Sequence, residues 1–360
     1  MVRTLVVGLL LFGSLACEEE RNRSTSRRTT TDGGPRSDGG PHSDLDAGAT
    51  DAGDEVDGGT RPSVSEVDPA CLDGLYTESL PMAGADIDSD VASYQPTAVR
   101  AFILTVLEKR YPIGKAVVEG GLANTRLGDC IDQFLQPSSS ANEVARQLST
   151  IVHECGHFFD LGQSGFDDAT YVITPTLRFQ CSGGSSRGTP ARSLINDDEL
   201  SSLRAPCGGR GSFDCDSYAD IYLDGDPNDG RFDSGDQGFD MLLEETVQYV
   251  NSLASGYALS DRYVGSVSER DGILTFLWYV GRYLKMTRED HPAAYLKLSE
   301  DSCWRRAILT VWGRAWLYLE ATEGDPALGI ADRTLIALVR DARILDEIQR
   351  LRVLEGCEAP

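Results

Sequence analysis

Aromatic residues are confined to one part of this 360-residue chain, and this limits where a folded core can form. Residues 18–70 contain no Phe, Trp or Tyr and are dominated by Asp, Gly, Ser, Thr and Pro, as in DGGPRSDGG and DAGATDAGD. Such a segment cannot bury enough apolar surface to offset the entropy of ordering it. Residues 71–360 hold every aromatic residue except Phe12. We therefore expect one folded domain over 71–360, preceded by a disordered tether over 18–70.

Residues 1–17 have the pattern of an export signal. Arg3 precedes an apolar run that is too short for a bilayer span of about 20 residues, which favours a secretory signal peptide. The run ends in Ser14-Leu15-Ala16-Cys17, which resembles the lipobox of bacterial lipoproteins. That resemblance implies lipidation of Cys17 and anchoring to the outer membrane or cell surface. Membrane contact would then occur only through the lipid. An ordinary signal peptide with an incidental cysteine is the alternative.

The charge of the chain excludes some classes of partner. The net charge is −24, of which −7 falls on residues 18–70 and −18 on residues 71–360. An acidic protein is repelled by nucleic acid and by anionic membrane surfaces, so we expect neither as a partner.

Eight cysteines remain after Cys17, an even number that suits disulfide bonding in an oxidising compartment. Cys181, Cys207 and Cys215 lie in loop-like sequence, and we expect them to pair with each other or with neighbouring cysteines. No C-x-x-C pair is present, which argues against a structural zinc ribbon.

Helical periodicity is common in the 71–360 region and strand alternation is rare. Apolar residues recur at three- and four-residue spacing in six segments, which predict helices over 97–110, 141–161, 241–254, 273–285, 303–320 and 327–354. Short strands are predicted at 114–118 and 171–177. The expected fold class is α+β and predominantly α-helical, with a small sheet.

The sequence His153-Glu154-Cys155-Gly156-His157 is the motif that most strongly indicates a chemical function. Ser140 and Glu143 form a capping-box signature that predicts a helix start before it. On that helix, His153 and His157 lie one turn apart, opposite an apolar stripe that includes Cys155. This spacing allows two imidazoles to share one metal ion. Cys155 instead points into the stripe, which predicts a buried thiol or a disulfide.

A third protein ligand is needed to complete a catalytic zinc site. The residues after His157 contain no histidine, and neither His42 in the tether nor His291 beside Pro292 is an attractive ligand. Glu244 and Glu245, about ninety residues downstream on a predicted helix, are the candidates. Periodicity alone does not choose between them, because both flank the same apolar stripe.

Taken with these glutamates, HECGH resembles the zincin class of zinc metallopeptidases, in its gluzincin-like form. In that group a Glu on a later helix is the third ligand and an aromatic residue often follows five positions on. Glu244 has that spacing to Tyr249, so the resemblance favours His153, His157 and Glu244 as the zinc ligands.

The resemblance implies hydrolysis of peptide bonds, with a peptide or protein as substrate and Glu154 as general base toward a metal-activated water. Tyr249, Tyr257 and Tyr263 are candidates for stabilising the oxyanion, and the strand at 171–177 is a candidate edge for pairing with substrate backbone. Two alternatives remain: a non-catalytic surface lipoprotein with a zincin-like fold, and a zinc hydrolase of cell-wall amides.

An acidic loop precedes the candidate glutamates. Residues 197–240 contain twelve acidic residues and three arginines. Within DGDPNDGRFDSGD, hard oxygen donors at short spacing suit Ca²⁺, which makes Asp224, Asp226, Asn228 and Asp233 a candidate calcium site. A solvated loop built from Asx turns is the alternative.

Overall fold

Helices dominate the part of the chain that the structure describes. This computed structural model describes residues 76–165, 167–209, 214–263 and 265–357, so the predicted signal peptide with Cys17 and the predicted tether lie outside it. The α-helices, in chain order, are α1 (Asp88–Ala92), α2 (Val99–Arg110), α3 (Pro112–Leu122), α4 (Cys130–Phe134), α5 (Ala141–Gln163), α6 (Ala219–Tyr222), α7 (Phe239–Leu259), α8 (Glu269–Asp290), α9 (Pro292–Glu300), α10 (Ser302–Ala321), α11 (Asp332–Val339) and α12 (Ala342–Glu355). Strands β1 (Asp168–Thr174) and β2 (Leu177–Ser182) form an antiparallel hairpin. The predicted mainly helical α+β class is confirmed.

Helix α5 carries the HECGH motif and begins where the sequence predicts. The Ser140 side chain accepts a hydrogen bond from the Glu143 backbone N–H, and the Glu143 carboxylate accepts one from the Ser140 backbone N–H. These reciprocal bonds satisfy amides that a helix start leaves without partners. The first residue of the helix is therefore fixed by two side chains.

The strand predicted at 114–118 is wrong, because this segment lies inside helix α3. Pro112 occupies the first turn, where its missing N–H costs nothing and its fixed φ suits a helix. Gly114, Val117, Val118 and Gly121 are the buried residues of the helix. Their spacing of three and four residues is the helical period, and the short β-branched run concealed it.

The helix predicted over 327–354 is divided into α11 and α12. Asp341 separates them and caps α12, because its side chain accepts a hydrogen bond from the Arg343 backbone N–H at 2.9 Å. The apolar periodicity continues across the division, so periodicity alone could not locate it.

The hairpin lies against helix α5. The segment predicted as one strand over 171–177 runs from β1 through the turn into β2. The backbone N–H of Thr170 donates to Ser164 Oγ, and that of Val172 donates to Asp160 Oδ1, each at 2.9 Å. At these two positions the N–H groups of β1 are already hydrogen-bonded, and pairing of substrate with the rest of the predicted edge stays a prediction.

Three disulfides join described residues. Cys155 pairs with Cys130 and so links the motif helix to α4, which confirms one of the two states expected for this residue. Cys207 pairs with Cys215, and Cys181 pairs with Cys303. The Cys207–Cys215 bond confirms the pairing expected among the loop cysteines, whereas Cys181 instead bonds a cysteine 122 residues further along the chain.

Helix α5 lies at the centre, between α3 on one side and α7 on the other. A side chain at Gly121 of α3 would collide with the Cys155 carbonyl, so glycine is needed for this close approach. One hydrophobic cluster extends from Tyr76 to Leu351 and includes the apolar stripe of α5. None of the helices described is long and apolar enough to cross a membrane.

Candidate metal site

Two central helices bring the candidate ligands together. His153 and His157 lie one turn apart on α5, with ring centroids 4.7 Å apart. Glu245 reaches them from α7. Its Oε2 atom lies 3.7 Å from His153 Nε2 and 3.5 Å from His157 Nε2. All three side chains are buried, so the face of α5 predicted to lie opposite the apolar stripe is covered by α7.

These separations suit one tetrahedral ion. Zinc bonds of 2.0–2.2 Å at a tetrahedral angle place neighbouring ligand atoms about 3.3 Å apart. His153, His157 and Glu245 are the one group of three or more His, Cys, Asp or Glu residues in the described ranges whose ligand atoms converge within 4.8 Å. Glu245 Oε2 is buried and has no hydrogen-bond partner, which leaves it free to ligate. The residues present therefore fit a zinc ion.

Glu244 does not lie at the position of the third ligand, for which the sequence analysis favoured it. Its Oε2 atom lies 2.7 Å from His157 Nδ1, on the side of the ring opposite Nε2. The geometry therefore replaces Glu244 by Glu245 as the third candidate ligand. Glu244 instead orients His157, because a hydrogen bond at Nδ1 leaves Nε2 to face the metal position.

Ser252 supports the other histidine in the same way. Its hydroxyl lies 3.1 Å from His153 Nδ1. Sequence reasoning missed this contact, although a signal was present. Glu244, Gln248 and Ser252 recur every four residues on a largely apolar helix, so they form a polar stripe on one face. A buried polar stripe of this kind indicates a polar partner on the facing helix.

Gln248 links this stripe to the motif helix. Its side-chain amide donates to Asp160 Oδ2 at 2.9 Å and to Glu244 Oε1 at 3.2 Å. Burial raises the pKa of Asp160 well above its ordinary value, and the nearby Glu244 carboxylate adds to the effect. The support behind His157 therefore extends from α7 back to the end of α5.

Glu154 is a buried carboxyl group without a partner. It is 1% exposed, and neither of its oxygens has a hydrogen-bond partner. Burial raises the pKa of Glu154 to about 8, with His157 acting against the shift. A group that gains and loses a proton near neutral pH suits general acid–base chemistry.

The charges around the metal position influence one another strongly. Burial by itself would lower the pKa of His157, but Glu244 and Glu245 outweigh it and raise this pKa to about 10. For His153 the effect of burial prevails and lowers its pKa. Burial acts to raise the pKa of Glu245, but the two histidines lower it. The metal-free site thus pairs a protonated His157 with two carboxylates.

The candidate tyrosines differ in their relation to the site. Tyr249 lies beside it, with its ring edge-on to His153 at 4.8 Å between centroids, and its hydroxyl lies 2.9 Å from that of Tyr222. Tyr257 lies two turns further along α7, and Tyr263 follows the turn at Ser260–Arg262. Tyr249 is therefore placed against a candidate ligand.

The acidic loop does not gather its carboxylates as the motif residues do. Asp224, Asp226 and Asp233 do not form a group of three with oxygens within 4.8 Å of one another. Asp226 instead accepts hydrogen bonds from the backbone and side chain of Asn228, at 2.9 and 3.0 Å, as in an Asx turn. Calcium binding by this loop stays a prediction.

Comparison of the chain with protein-family models, with curated proteins and with solved structures gives no match.

Proposed function

We propose that this protein is a zinc-dependent peptidase with His153, His157 and Glu245 as metal ligands and Glu154 as the catalytic base. One observation carries the proposal. The two imidazole Nε2 atoms of helix α5 and the unpartnered Glu245 Oε2 atom of helix α7 converge at zinc-like spacing, and Glu154, which follows His153 on α5, has both carboxylate oxygens unpartnered. Leaving buried polar groups without partners destabilises a fold, so a ligand and a substrate are expected to satisfy them.

Each residue has a defined task in this reaction. A bound zinc ion would polarise the scissile carbonyl and lower the pKa of a water molecule. Glu154 takes the proton from the attacking water and passes it to the departing amine. Glu244 and Ser252 hold the imidazoles at Nδ1, so that the Nε2 atoms keep one orientation through the cycle.

The first prediction concerns Glu154→Gln. This variant keeps the size of the side chain and removes the base, so we expect it to bind one zinc ion and to hydrolyse casein at least about 100-fold more slowly. Zinc content and casein hydrolysis are measured on the same preparation. Glu119→Gln, at an exposed position on α3, is the control and should retain full activity. Equal casein hydrolysis by Glu154→Gln and wild type would contradict the assignment.

The burial of the site favours a second candidate function, in which the metal only stabilises the fold. His153, Glu154 and His157 are each at most 2% exposed. In a structural site, zinc would raise the melting temperature of wild type and of Glu154→Gln equally, and neither would cleave casein. Casein hydrolysis by wild type but not by Glu154→Gln would favour the peptidase.

We also propose that the chain is exported and held at the cell envelope by a lipid on Cys17. The lipobox-like sequence at residues 14–17 supports this. The disulfides among the described residues add support, because such bonds persist in oxidising compartments.

A further inference from the structure

Arg192 is a buried arginine beside the candidate metal site that the roles above do not use. It is the first residue of the 3₁₀ helix Arg192–Asp197, and it is 1% exposed. Its backbone N–H donates to the Gln237 carbonyl at 2.8 Å, and its Nε donates to the Tyr222 carbonyl at 2.7 Å. The guanidinium is thereby fixed in one orientation.

Tyr222 relates this arginine to the site. The Arg192 guanidinium carbon lies 5.6 Å from the centre of the Tyr222 ring. The Tyr222 hydroxyl lies 2.9 Å from that of Tyr249, whose ring is packed edge-on against His153. Arg192 is therefore connected to the candidate ligand His153 through two tyrosines in contact with each other, Tyr222 and Tyr249.

The guanidinium has a free donor. Nη1 of Arg192 is buried and has no hydrogen-bond partner. Burial lowers the pKa of Arg192, and Glu245 is the charged neighbour that opposes this shift most. Burying a cation with an unused N–H is unfavourable unless an anion pairs with its charge and accepts a hydrogen bond from that N–H. Arginine is also the side chain best suited to bind a carboxylate, because its planar donors match the two oxygens.

We propose that Arg192 Nη1 binds a carboxylate of the bound substrate, so that the site selects peptides carrying a carboxylate near the scissile bond. The inference rests on the proposed function, because it places the substrate at the metal site. It adds a substrate class that the metal ligands and Glu154 do not specify. The carboxylate would belong to the peptide terminus or to an acidic side chain.

The test uses two hydroxamates that differ in one group. Butyrohydroxamate and succinic monohydroxamate share the zinc-binding head, and the second replaces the terminal methyl group with a carboxylate. Their dissociation constants are measured by calorimetry on the zinc-loaded full chain. Because a hydrogen bond between charged groups is stronger than one between neutral groups, wild type should bind the carboxylate compound at least about tenfold more tightly.

Arg192→Met should remove this preference and leave butyrohydroxamate binding within about threefold of wild type. If this variant does not fold, Arg192→Lys is the second variant; its ammonium lacks the planar fork, so the preference should fall at least about threefold. An unchanged preference in a folded variant would overturn the proposal and leave Arg192 as a counter-charge to Glu245. Absence of any preference in wild type would also overturn it. Failure of both compounds to bind wild type would instead refute the metal site and the proposed function.

Peptide hydrolysis then identifies the source of the carboxylate. Peptides with free and amidated C-termini test the terminal group, and peptides with Glu or Gln beside the scissile bond test a side chain. For each pair, the ratio of kcat/KM between the carboxylate peptide and its neutral counterpart is measured. The source of the carboxylate is the pair for which this ratio exceeds tenfold in wild type and falls close to one in Arg192→Met. Ratios near one for both pairs would overturn the proposal.

Discussion

At the scale of single residues, His157 determines the charge state of the metal-free site. Its Nδ1 atom lies 2.7 Å from Glu244, and its Nε2 atom lies 3.5 Å from Glu245. Both carboxylates favour the protonated ring, whereas a metal ligand must offer a lone pair at Nε2. Metal binding therefore requires His157 to lose a proton.

This gives a prediction about pH. The pKa of His157 rises from 6.5 to about 10 on folding, and that of Glu154 rises from 4.5 to about 8. Both folded-state values lie above the unfolded ones, so the folded protein holds protons that the unfolded chain has released. The stability of the metal-free protein should therefore fall as the pH rises from about 6.5 to 9.5.

Urea unfolding in EDTA at pH 6.5, 8 and 9.5 measures this trend. In the zinc-loaded protein, His157 Nε2 holds the ion in place of a proton, so the fall should be smaller. Metal-free stability that rises over this range would contradict the charge states described for His157 and Glu154.

The sequence singles out His153, Glu154 and His157 as candidates, but the choice between Glu244 and Glu245 could not be made there, for a physical reason. His153, Glu154 and His157 stand on one helix, where spacing determines their relative positions. Glu244 and Glu245 differ by only 100° on a helix whose rotation about its axis is set by packing. The contacts of Glu244 with His157 and Gln248 depend on that packing, and the sequence pattern does not contain it.

At the scale of elements, the site depends on how closely α5 and α7 approach each other. Gly156 lies between the two histidines and faces Gln248 of α7. A methyl group at this position would collide with Gln248 Oε1, whose amide also bonds Glu244 and Asp160. The glycine inside the motif therefore allows the helix carrying Glu245 to reach the imidazoles.

Gly156→Ala tests this helix contact. Alanine favours a helix by about 1 kcal/mol over glycine, but overpacking costs typically 1–3 kcal/mol. We expect a net loss of stability and a weaker affinity for zinc, measured by urea unfolding and by competition with a chelator. Gly84→Ala, where a methyl group meets no atom within 4 Å, is the control. Unchanged zinc affinity in Gly156→Ala would show that the contact does not position the site.

Helix prediction succeeded where local signals agreed with the packing. The capping box of α5 and the long apolar periods of α7, α8 and α10 predicted these helices to within five residues at each end. The segment 114–118 failed because its length and β-branched residues suit a short strand. Its helical state follows from Pro112 and from burial against α5, which is a tertiary effect.

At the scale of the whole molecule, the start of the described chain is fixed to the interior. Glu78 and Arg314 form a buried ion pair at 3.0 Å, and Arg314 donates to Asn251 at 2.8 Å. Asn251 in turn donates to Gln248 at 2.9 Å. A continuous set of polar contacts therefore connects the segment that follows the predicted tether with the support behind His157.

The prediction at this scale concerns Cys17. If its lipid is the anchor, bacterial cells fed labelled palmitate should incorporate the label into the wild-type protein of the membrane fraction and not into Cys17→Ala, which has no thiol to acylate. Ser14→Ala, which keeps the cysteine, should remain with the membranes. Absence of the label from the wild-type protein, or equal labelling of Cys17→Ala, would contradict lipid anchoring.

We propose that Glu245, and not Glu244, completes a zinc site with His153 and His157. Zinc affinity of the full chain, measured by chelator competition for wild type, Glu244→Gln and Glu245→Gln, tests it most directly. Loss of a supporting contact weakens metal binding about 10- to 100-fold, which is the result expected for Glu244→Gln. Loss of a ligand should have a larger effect, so Glu245→Gln should bind zinc far more weakly than Glu244→Gln. Zinc binding by Glu245→Gln that is equal to or tighter than that by Glu244→Gln would show that Glu245 is not the third ligand.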